Sequence, residues 1–405
     1  MNEVTKHQWA FAPRFRKNAF GWRSNPAILR IREALSEIKK TARKEPILGA
    51  EGAVLFLEKI SAAIANVDGS SGTIGAAANA VLDELVPIIA VAPAELAVRQ
   101  KWLERLWRAV EEDDYSYLDI VPDRWGELCA TPETASAWAD EFIGTLRMIW
   151  TNFRNRGEYF KGTNACLSAL FAAGRFGEIL DLVELAPFKS WTDRKWAVKA
   201  LSAMGRKDEA IRFAEDSRGL NDSPYAIAKS CEEILLSIGR TEDAYRAYAF
   251  QSNRKPTYLA WFRAVVEKYP ARDPKDILRD LVAASPGEEG KWFAAAKSAG
   301  LYKEAVELAN KAPCDPKTLT RAARDLAEAE PQFALGAGLA ALRWIAEGYG
   351  YDLSGWDVQE AYDRTIQSAE ILKRRDEVLG RIRKLAGANT DGGRILTAIL
   401  QRERR

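Results

Sequence analysis

The stretch FAPRFRKNAFGWRSN, residues 11–25, holds four aromatics and four cations in fifteen residues. Two chemistries suit that mixture. Arg14, Arg16, Lys17 and Arg23 can contact phosphates while Phe11, Phe15, Phe20 and Trp22 stack on bases, as in an arm that grips single-stranded nucleic acid. Alternatively, Phe15, Phe20 and Trp22 anchor the chain end in a helical groove, and the cations stay in solvent or meet acidic neighbours. Large rings are costly to leave in water, and no recognised nucleic-acid module accompanies them. The strap is therefore the preferred reading. The alternative is a nucleic-acid grip at Arg14, Phe15, Arg16, Lys17, Trp22 and Arg23.

Other reactive groupings are sparse. His7 is the one histidine, so a Ser-His-Asp or Cys-His site would have to use it, in a chain end expected to be poorly ordered. Histidine-rich zinc sites are excluded by count. EEDDY, 111–115, has carboxylates for a divalent cation, although a solvated acidic helix end is the preferred reading. DGSSGTIGAAANA, 68–80, places glycines before a helix, where free N–H groups can cradle an anion. It lacks the lysine of a Walker loop and no strand precedes it, so it is read as a capping loop. GYGYDLSGW, 348–356, either lines a ligand groove or covers the last repeat, with covering preferred. PGEEGKW, 286–292, is assigned to helix capping. No catalytic residue, cofactor or metal is expected, and the chain is read as a non-enzyme.

The elements that would position such groups follow from the totals. A chain of 405 residues, 47% hydrophobic and 29% charged, is of ordinary globular composition. Its net charge of +2 hides polarity. Residues 1–45 carry eleven Lys/Arg against four Glu, and the tail from Lys373 carries ten against four acids. Residues 91–145 carry twelve acids and five bases, so the basic ends are expected to dock on this middle, within or between copies. Cys129, Cys166, Cys231 and Cys314 lie far apart with no CxxC, which fits buried thiols in a reducing compartment. The start lacks the apolar core of a signal peptide, and no run is judged to approach the roughly 18 apolar residues of a membrane span. A cytoplasmic protein with no membrane partner is expected. Thirteen tryptophans suit wide gaps between helices.

Six dipeptides place a capping side chain before proline: Asn25-Pro26, Thr131-Pro132, Ser223-Pro224, Asp273-Pro274, Ser285-Pro286 and Asp315-Pro316. The cap oxygen takes an orphan N–H, and proline at the first helical position lacks one to lose. Ser285 and Glu288 also have capping-box spacing. Between these starts the apolar residues recur at helical period, as in Ile28, Ile31, Leu35 and Ile38, or Trp138, Phe142, Ile149 and Phe153. LVPIIAV, 85–91, is the one strand candidate, and Pro87 counts against it. The fold class is all-α.

Four stretches align without gaps: ALFAAGRFGEILDLVE (169–184), ALSAMGRKDEAIRFAE (200–215), ILLSIGRTEDAYRAYA (234–249) and AAKSAGLYKEAVELAN (295–310). Each has glycine sixth, at Gly174, Gly205, Gly239 and Gly300, and a packing residue five later, at Ile179, Ala210, Ala244 and Ala305. A helix that ends at glycine, a short turn and a second helix make a pair that must stack on others to bury its apolar face. A degenerate unit is expected at DPKDILRDLVAA (273–284), with Ile277 in the alanine's place. GRKDEA and GLYKEA resemble the tetratricopeptide signature, without the usual first-helix Trp and Tyr. The resemblance implies a tetratricopeptide-like α-α superhelix.

FGWRS, RQKWLERLW, CEEILLSIG, PGEEGKWFAAAK and ALRWIAEGYGY also make the whole chain resemble an uncharacterised bacterial family of helical-repeat proteins. That resemblance implies helical architecture and a bacterial cytoplasmic setting, and brings no catalytic residues. The expected regions are a basic aromatic arm and first helix (1–45), an N-terminal helical region (46–160), the repeats (161–315) and a helical cap with a basic tail (316–405). Stacked pairs present a concave surface for a protein or peptide partner. Its expected contacts, on the first helices, are Lys195, Lys199, Lys229, Glu233, Lys291 and Lys297.

Overall fold

The computed structural model describes residues 7–156, 159–219 and 222–403, and the Phe153 side chain lies outside the described residues. The chain divides into two compact units, Met1–Leu235 and Leu236–Arg405. In the first, α1 (Ser24–Ala42), α2 (Pro46–Ile64) and α3 (Thr73–Val91) pack on one another and α4 (Leu96–Glu111) lies on α2. Short α5 (Ile120–Asp123) and α6 (Trp125–Cys129) lead into α7 (Pro132–Arg156). Then α8 (Thr163–Ala172) pairs with α9 (Phe176–Leu185), and α10 (Trp191–Ala203), packed on both, pairs with α11 (Lys207–Glu215). The division falls in the last turn of α12 (Pro224–Ser237).

The second unit continues with α13 (Thr241–Ser252), α14 (Tyr258–Lys268), α15 (Pro274–Ala283), α16 (Phe293–Ser298) and α17 (Tyr302–Lys311). It closes with α18 (Pro316–Asp325), α19 (Pro331–Ala346), α20 (Gly355–Ile371), α21 (Arg375–Leu385) and α22 (Asp391–Glu403). Among the described residues every regular element is a helix. LVPIIAV is the end of α3, not a strand. Pro87 cannot donate to the Asp83 carbonyl one turn back, and the Arg124 guanidinium takes that carbonyl at 3.3 Å instead.

The repeat turn has one geometry. Gly174, Gly205, Gly239 and Gly300 all adopt left-handed backbone, with φ between +72° and +80°. In three of them the following N–H reaches back five residues: Arg175 to Leu170, Arg206 to Leu201 and Leu301 to Ala296, at 2.9–3.0 Å. Orphan carbonyls at the helix end are thereby satisfied. The next helix starts at once. Its capping residue is arginine in three of four cases, and that arginine binds the acid three residues on: Arg175 with Glu178, Arg206 with Glu209 and Arg240 with Asp243. The packing residues Ile179, Ala210, Ala244 and Ala305 are fully buried. Ile277 is buried likewise in α15, where Asp273 caps the helix and no glycine is needed.

The same turn recurs where no glycine marks it. Lys373 stands at φ +55°, and Arg374 donates to the Ala369 carbonyl at 2.8 Å. Arg374 also forks onto Glu377, and Val378, five residues past Lys373, is fully buried. The α20–α21 pair is therefore a further repeat inside the C-terminal region. A lysine in left-handed backbone pays the steric cost that glycine avoids.

The N-terminal segment is a strap. Trp9, Phe11, Phe15 and Phe20 are buried, and Phe15 meets the rings of Phe11, Phe20 and Phe56 at 5.0–5.7 Å. Glu37 accepts the N–H groups of Ala10 and Phe11, at 2.8 and 3.1 Å. Asn18 and Phe20 donate to the Ala62 and Ala63 carbonyls, which the end of α2 leaves unpaired. Gly52 is required: a Cβ there would lie 2.2 Å from the Trp9 ring. Trp22 departs from the expected anchor set, being 71% exposed.

Other expectations are corrected. Thr131, Asp273 and Asp315 accept first-turn N–H groups as expected of caps. Asn25 does not cap, because α1 begins at Ser24 behind extended Arg23. Ser285 and Glu288 form no capping box. The Ser285 hydroxyl donates to the Leu281 carbonyl and accepts from the Trp292 indole, while Gly287 at φ +86° breaks the chain direction. PGEEGKW instead forms a turn of 3-10 helix, Glu289–Trp292. A helix long and apolar enough to cross a membrane is present, Thr73–Val91, against the expectation of none. Its residues Ile74, Val81, Leu82, Leu85, Val86 and Ile89 are buried in the first unit's core.

If left-handed backbone fixes these turns, Gly205→Ala should destabilise the protein by about 1 kcal/mol and Lys373→Gly should stabilise it by up to about 1 kcal/mol. Urea unfolding of both variants reads this out. Equal effects of one sign would contradict it.

Candidate functional site

The first helices of two repeats and a short helix before them assemble a charged surface in the first unit. α10 is started by Ser190, whose hydroxyl accepts the Thr192 N–H at 3.2 Å. The Trp191 N–H donates to Asp222 at 3.0 Å, which ties this start to the residues entering α12. Lys195 and Lys199 sit one turn apart on α10. Lys195 pairs with Asp123, at the end of α5, at 2.7 Å. Lys199 lies over the Trp196 ring, its Nζ 4.1 Å from the centroid. Trp196 is in turn fixed by its indole N–H to Asn164 of α8 at 3.1 Å. On α12, Lys229 and Glu233 form an exposed pair at 4.0 Å.

The fields of these groups overlap. Burial lowers the affinity of Lys199 for its proton, and neighbouring Lys195 lowers it further, against the opposing charges of Asp123 and Glu233. Burial pushes the Asp193 carboxyl up to about 6, with Asp123 and Asp222 adding to the rise and Lys195 opposing it. Asp119 is raised as well, again chiefly by burial. Asp123 Oδ1 is buried and takes no hydrogen bond among the described residues. The surface thus interleaves lysines with carboxylates, of which Asp193 holds its proton most tightly.

Lys195, Lys199, Lys229 and Glu233 are therefore brought together with carboxylates from α5, α10 and the entry to α12. Lys291 and Lys297 belong to the second unit. Lys291 lies in the 3-10 turn, paired with Glu288 at 2.6 Å, and Lys297 ends α16, where its carbonyl accepts the Gly300 N–H. The carboxylates Asp119, Asp123, Asp193 and Asp222 were not singled out from the sequence. Asp193 reads there as an ordinary first-turn acid, and the others as members of a diffuse acidic middle.

The nucleic-acid candidates are split by the strap. Phe15 is buried, and Arg14 pairs with Glu33 at 2.6 Å. Arg16, Lys17 and Arg23 are exposed and make no ion pair among the described residues, and Trp22 is exposed beside Arg23. The basic arm does not dock on residues 91–145 through its described ion pairs: Arg14 meets Glu33, and Lys39 meets Glu84. In the tail, Arg374, Arg375 and Arg394 pair with nearby acids.

The remaining sequence candidates have structural uses. In EEDDY, Asp113 is buried and accepts from Ser61 and from the N–H groups of Tyr115 and Leu118. It organises the loop after α4, so EEDDY is not simply a solvated acidic end. Among the described residues no group of carboxylates, thiols or histidines is placed to hold a metal ion. In the glycine loop, Asp68 already occupies the Ser70 N–H at 3.0 Å. Burial pushes the thiols of Cys129, Cys166 and Cys314 up to about 12, which leaves them poor nucleophiles.

The chain is an all-α helical-repeat protein. No protein-family model matches it, and no curated protein does. Three chains of solved structures match. One is in the crystal structure of the APC/C hetero-tetramer Cut9-Hcn1, 13% identical, covering 93% of this chain and 81% of that one, with a TM-score of 0.22. The helix-pair assignment rests on the turn geometry above.

The raised Asp193 fixes the sign of a pH effect. Its folded pKa, about 6, exceeds the unfolded value of 3.8, so the folded state binds the proton more tightly. Stability should fall as pH rises from about 4 to about 6 and stay reduced above. Asp193→Asn should recover about 1–3 kcal/mol at pH 7.5 and little at pH 4. Thermal melts at both pH values check it, and an equal shift at both would contradict the assignment.

Proposed function

We propose that the protein is a non-enzymatic helical-repeat scaffold that binds a protein partner through the first-helix surface of its repeats. The observation that carries this reading is the assembly of Lys195, Lys199, Lys229 and Glu233 on α10 and α12, between helices held at repeated spacing by one turn geometry. Such a surface can recognise charged side chains on an extended or helical segment. The buried thiols support the non-enzymatic reading, as does the separation of the one histidine, His7, which contacts the Trp9 ring, from the charged surface's residues in sequence. Four buried cysteines, none in a disulfide, also suit a reducing, cytoplasmic compartment.

A second reading, a nucleic-acid-binding accessory subunit in bacterial defence or genome maintenance, draws on the outer edge of the strap. Arg16, Lys17 and Arg23 have no carboxylate partners there among the described residues, and Trp22 offers one exposed ring. Burial of Phe11, Phe15 and Phe20 removes the other stacking platforms.

Both readings are separable by experiment. The full chain, used as bait in its source cells, should retain a protein partner near stoichiometry. Lys199→Glu with Lys229→Glu should release that partner without changing the melting curve. Reproducible hydrolase activity of the pure chain, or retention of the partner by the double variant, would contradict the scaffold reading. For the second reading, titration with single-stranded DNA at low and near-physiological salt should show steeply salt-dependent binding that Arg16→Glu, Lys17→Glu and Arg23→Glu remove. Absence of such binding would dismiss it.

A further inference from the structure

We propose that the second unit carries a separate docking surface for an acidic peptide segment of a partner protein, built from Arg321, Tyr351 and Trp356. It shares the scaffold premise but uses neither the residues nor the unit of the charged surface above.

Two rings in the GYGYDLSGW segment are left in water. Tyr351 is 94% exposed and Trp356 77%. The covering reading of this loop holds for Leu353, which packs against the core, and for Tyr349, whose ring meets buried Trp344 at 5.1 Å. Exposed large rings cost solvation, and tyrosine, tryptophan and arginine are the types that concentrate binding energy at interfaces.

The rings and the arginine are tied together by Lys317. Its Nζ donates to the Asp352 carbonyl, next to Tyr351, at 3.1 Å, and pairs with Asp357, next to Trp356, at 3.5 Å. Arg321 lies one turn further along α18, its Nε bonded to the Lys317 carbonyl at 3.1 Å. Between α18 and α20, Lys317, Arg321, Leu353 and Asp357 line a cavity of about 270 Å³ whose lining includes buried Ile345, and Tyr351 and Trp356 flank Asp352 and Asp357 in the chain.

Charge selects the occupant. Lys317, Arg321 and Arg324 line one side of the cavity. Lys317 is met by Asp357, and Arg324 by Asp325 and Glu360. Arg321 is exposed and has no carboxylate partner among the described residues; its terminal nitrogen reaches only the Thr318 hydroxyl, at 3.3 Å. An incoming carboxylate can fork onto Arg321 while an apolar neighbour in the same segment packs on Tyr351 and Trp356.

The test uses the full chain, immobilised, against a displayed random-peptide library, followed by fluorescence titration of the selected peptides. The selected sequences should share an acidic residue near an aromatic or aliphatic one. Arg321→Gln and Trp356→Ala should each weaken their binding by roughly tenfold or more, with unchanged melting curves. Lys199→Glu with Lys229→Glu should leave it unchanged, so this surface and the first-unit surface fail independently. Selection of no peptide, selection of peptides without acids, or affinities untouched by Arg321→Gln would overturn the proposal. Light scattering covers the remaining occupant: self-association abolished by Arg321→Glu would assign the surface to a second copy and overturn it too.

Discussion

A single backbone constraint organises the repeats. The chain must enter left-handed backbone for one residue at the end of each first helix, so that two N–H groups fold back onto carbonyls the helix leaves unpaired. That residue is glycine at 174, 205, 239 and 300 and lysine at 373. The geometry leaves no freedom in where the second helix begins, and in four of the turns an arginine at that point closes onto an acid three residues on. These exposed forks add little energy individually. Their value is directional: they place an acid in the first turn, where the helix dipole favours it. Five residues past each left-handed position comes a fully buried side chain, so the turn also sets which face of the second helix meets the first.

The charged surface of the first unit is a consequence of that register. α10 packs on both α8 and α9, which holds Trp196 against Asn164, turns Lys195 onto Asp123 and leaves Lys199 exposed. The same packing buries Asp193, which chiefly pushes its carboxyl up, and sets it near Asp123 and Asp222, which add to the rise. The chain end obeys a different rule. Its rings fill the groove of α1 and α2, and both acids within α1 are consumed by it: Glu37 by strap N–H groups and Glu33 by Arg14. With those acids consumed, Arg16, Lys17 and Arg23 stay exposed without an ion pair among the described residues.

Much of this was legible in the sequence, for definite reasons. Glycine spacing gave away four turns because glycine is the cheap residue in left-handed backbone. The Lys373 turn was hidden because lysine carries no such signal, and only the following Arg374-x-x-Glu377 marks it. Ser285-Pro286 misled because a serine hydroxyl can bond backward to its own helix as readily as forward to the next, and Trp292 took its acceptor. The aromatics of the strap were legible as a group but not one by one: Phe15 and Phe20 point inward and Trp22 does not. The carboxylates around Lys195 were illegible, since Asp123 and Asp222 lie about a hundred residues apart and come to bear on Asp193 only through packing. Pro87 shows the converse case, a local signal against helix overridden by an arginine that satisfies the carbonyl it frees.

The account stands most directly on the turn hydrogen bonds. Amide hydrogen exchange of the deuterated chain, read residue by residue by NMR, measures them. The N–H groups of Arg175, Arg206, Leu301 and Arg374 sit in connecting segments, yet they should exchange as slowly as amides within the adjoining helices. Exchange at the rate of open surface loops would show that the backward hydrogen bonds are not formed, and the common turn would no longer explain the repeat.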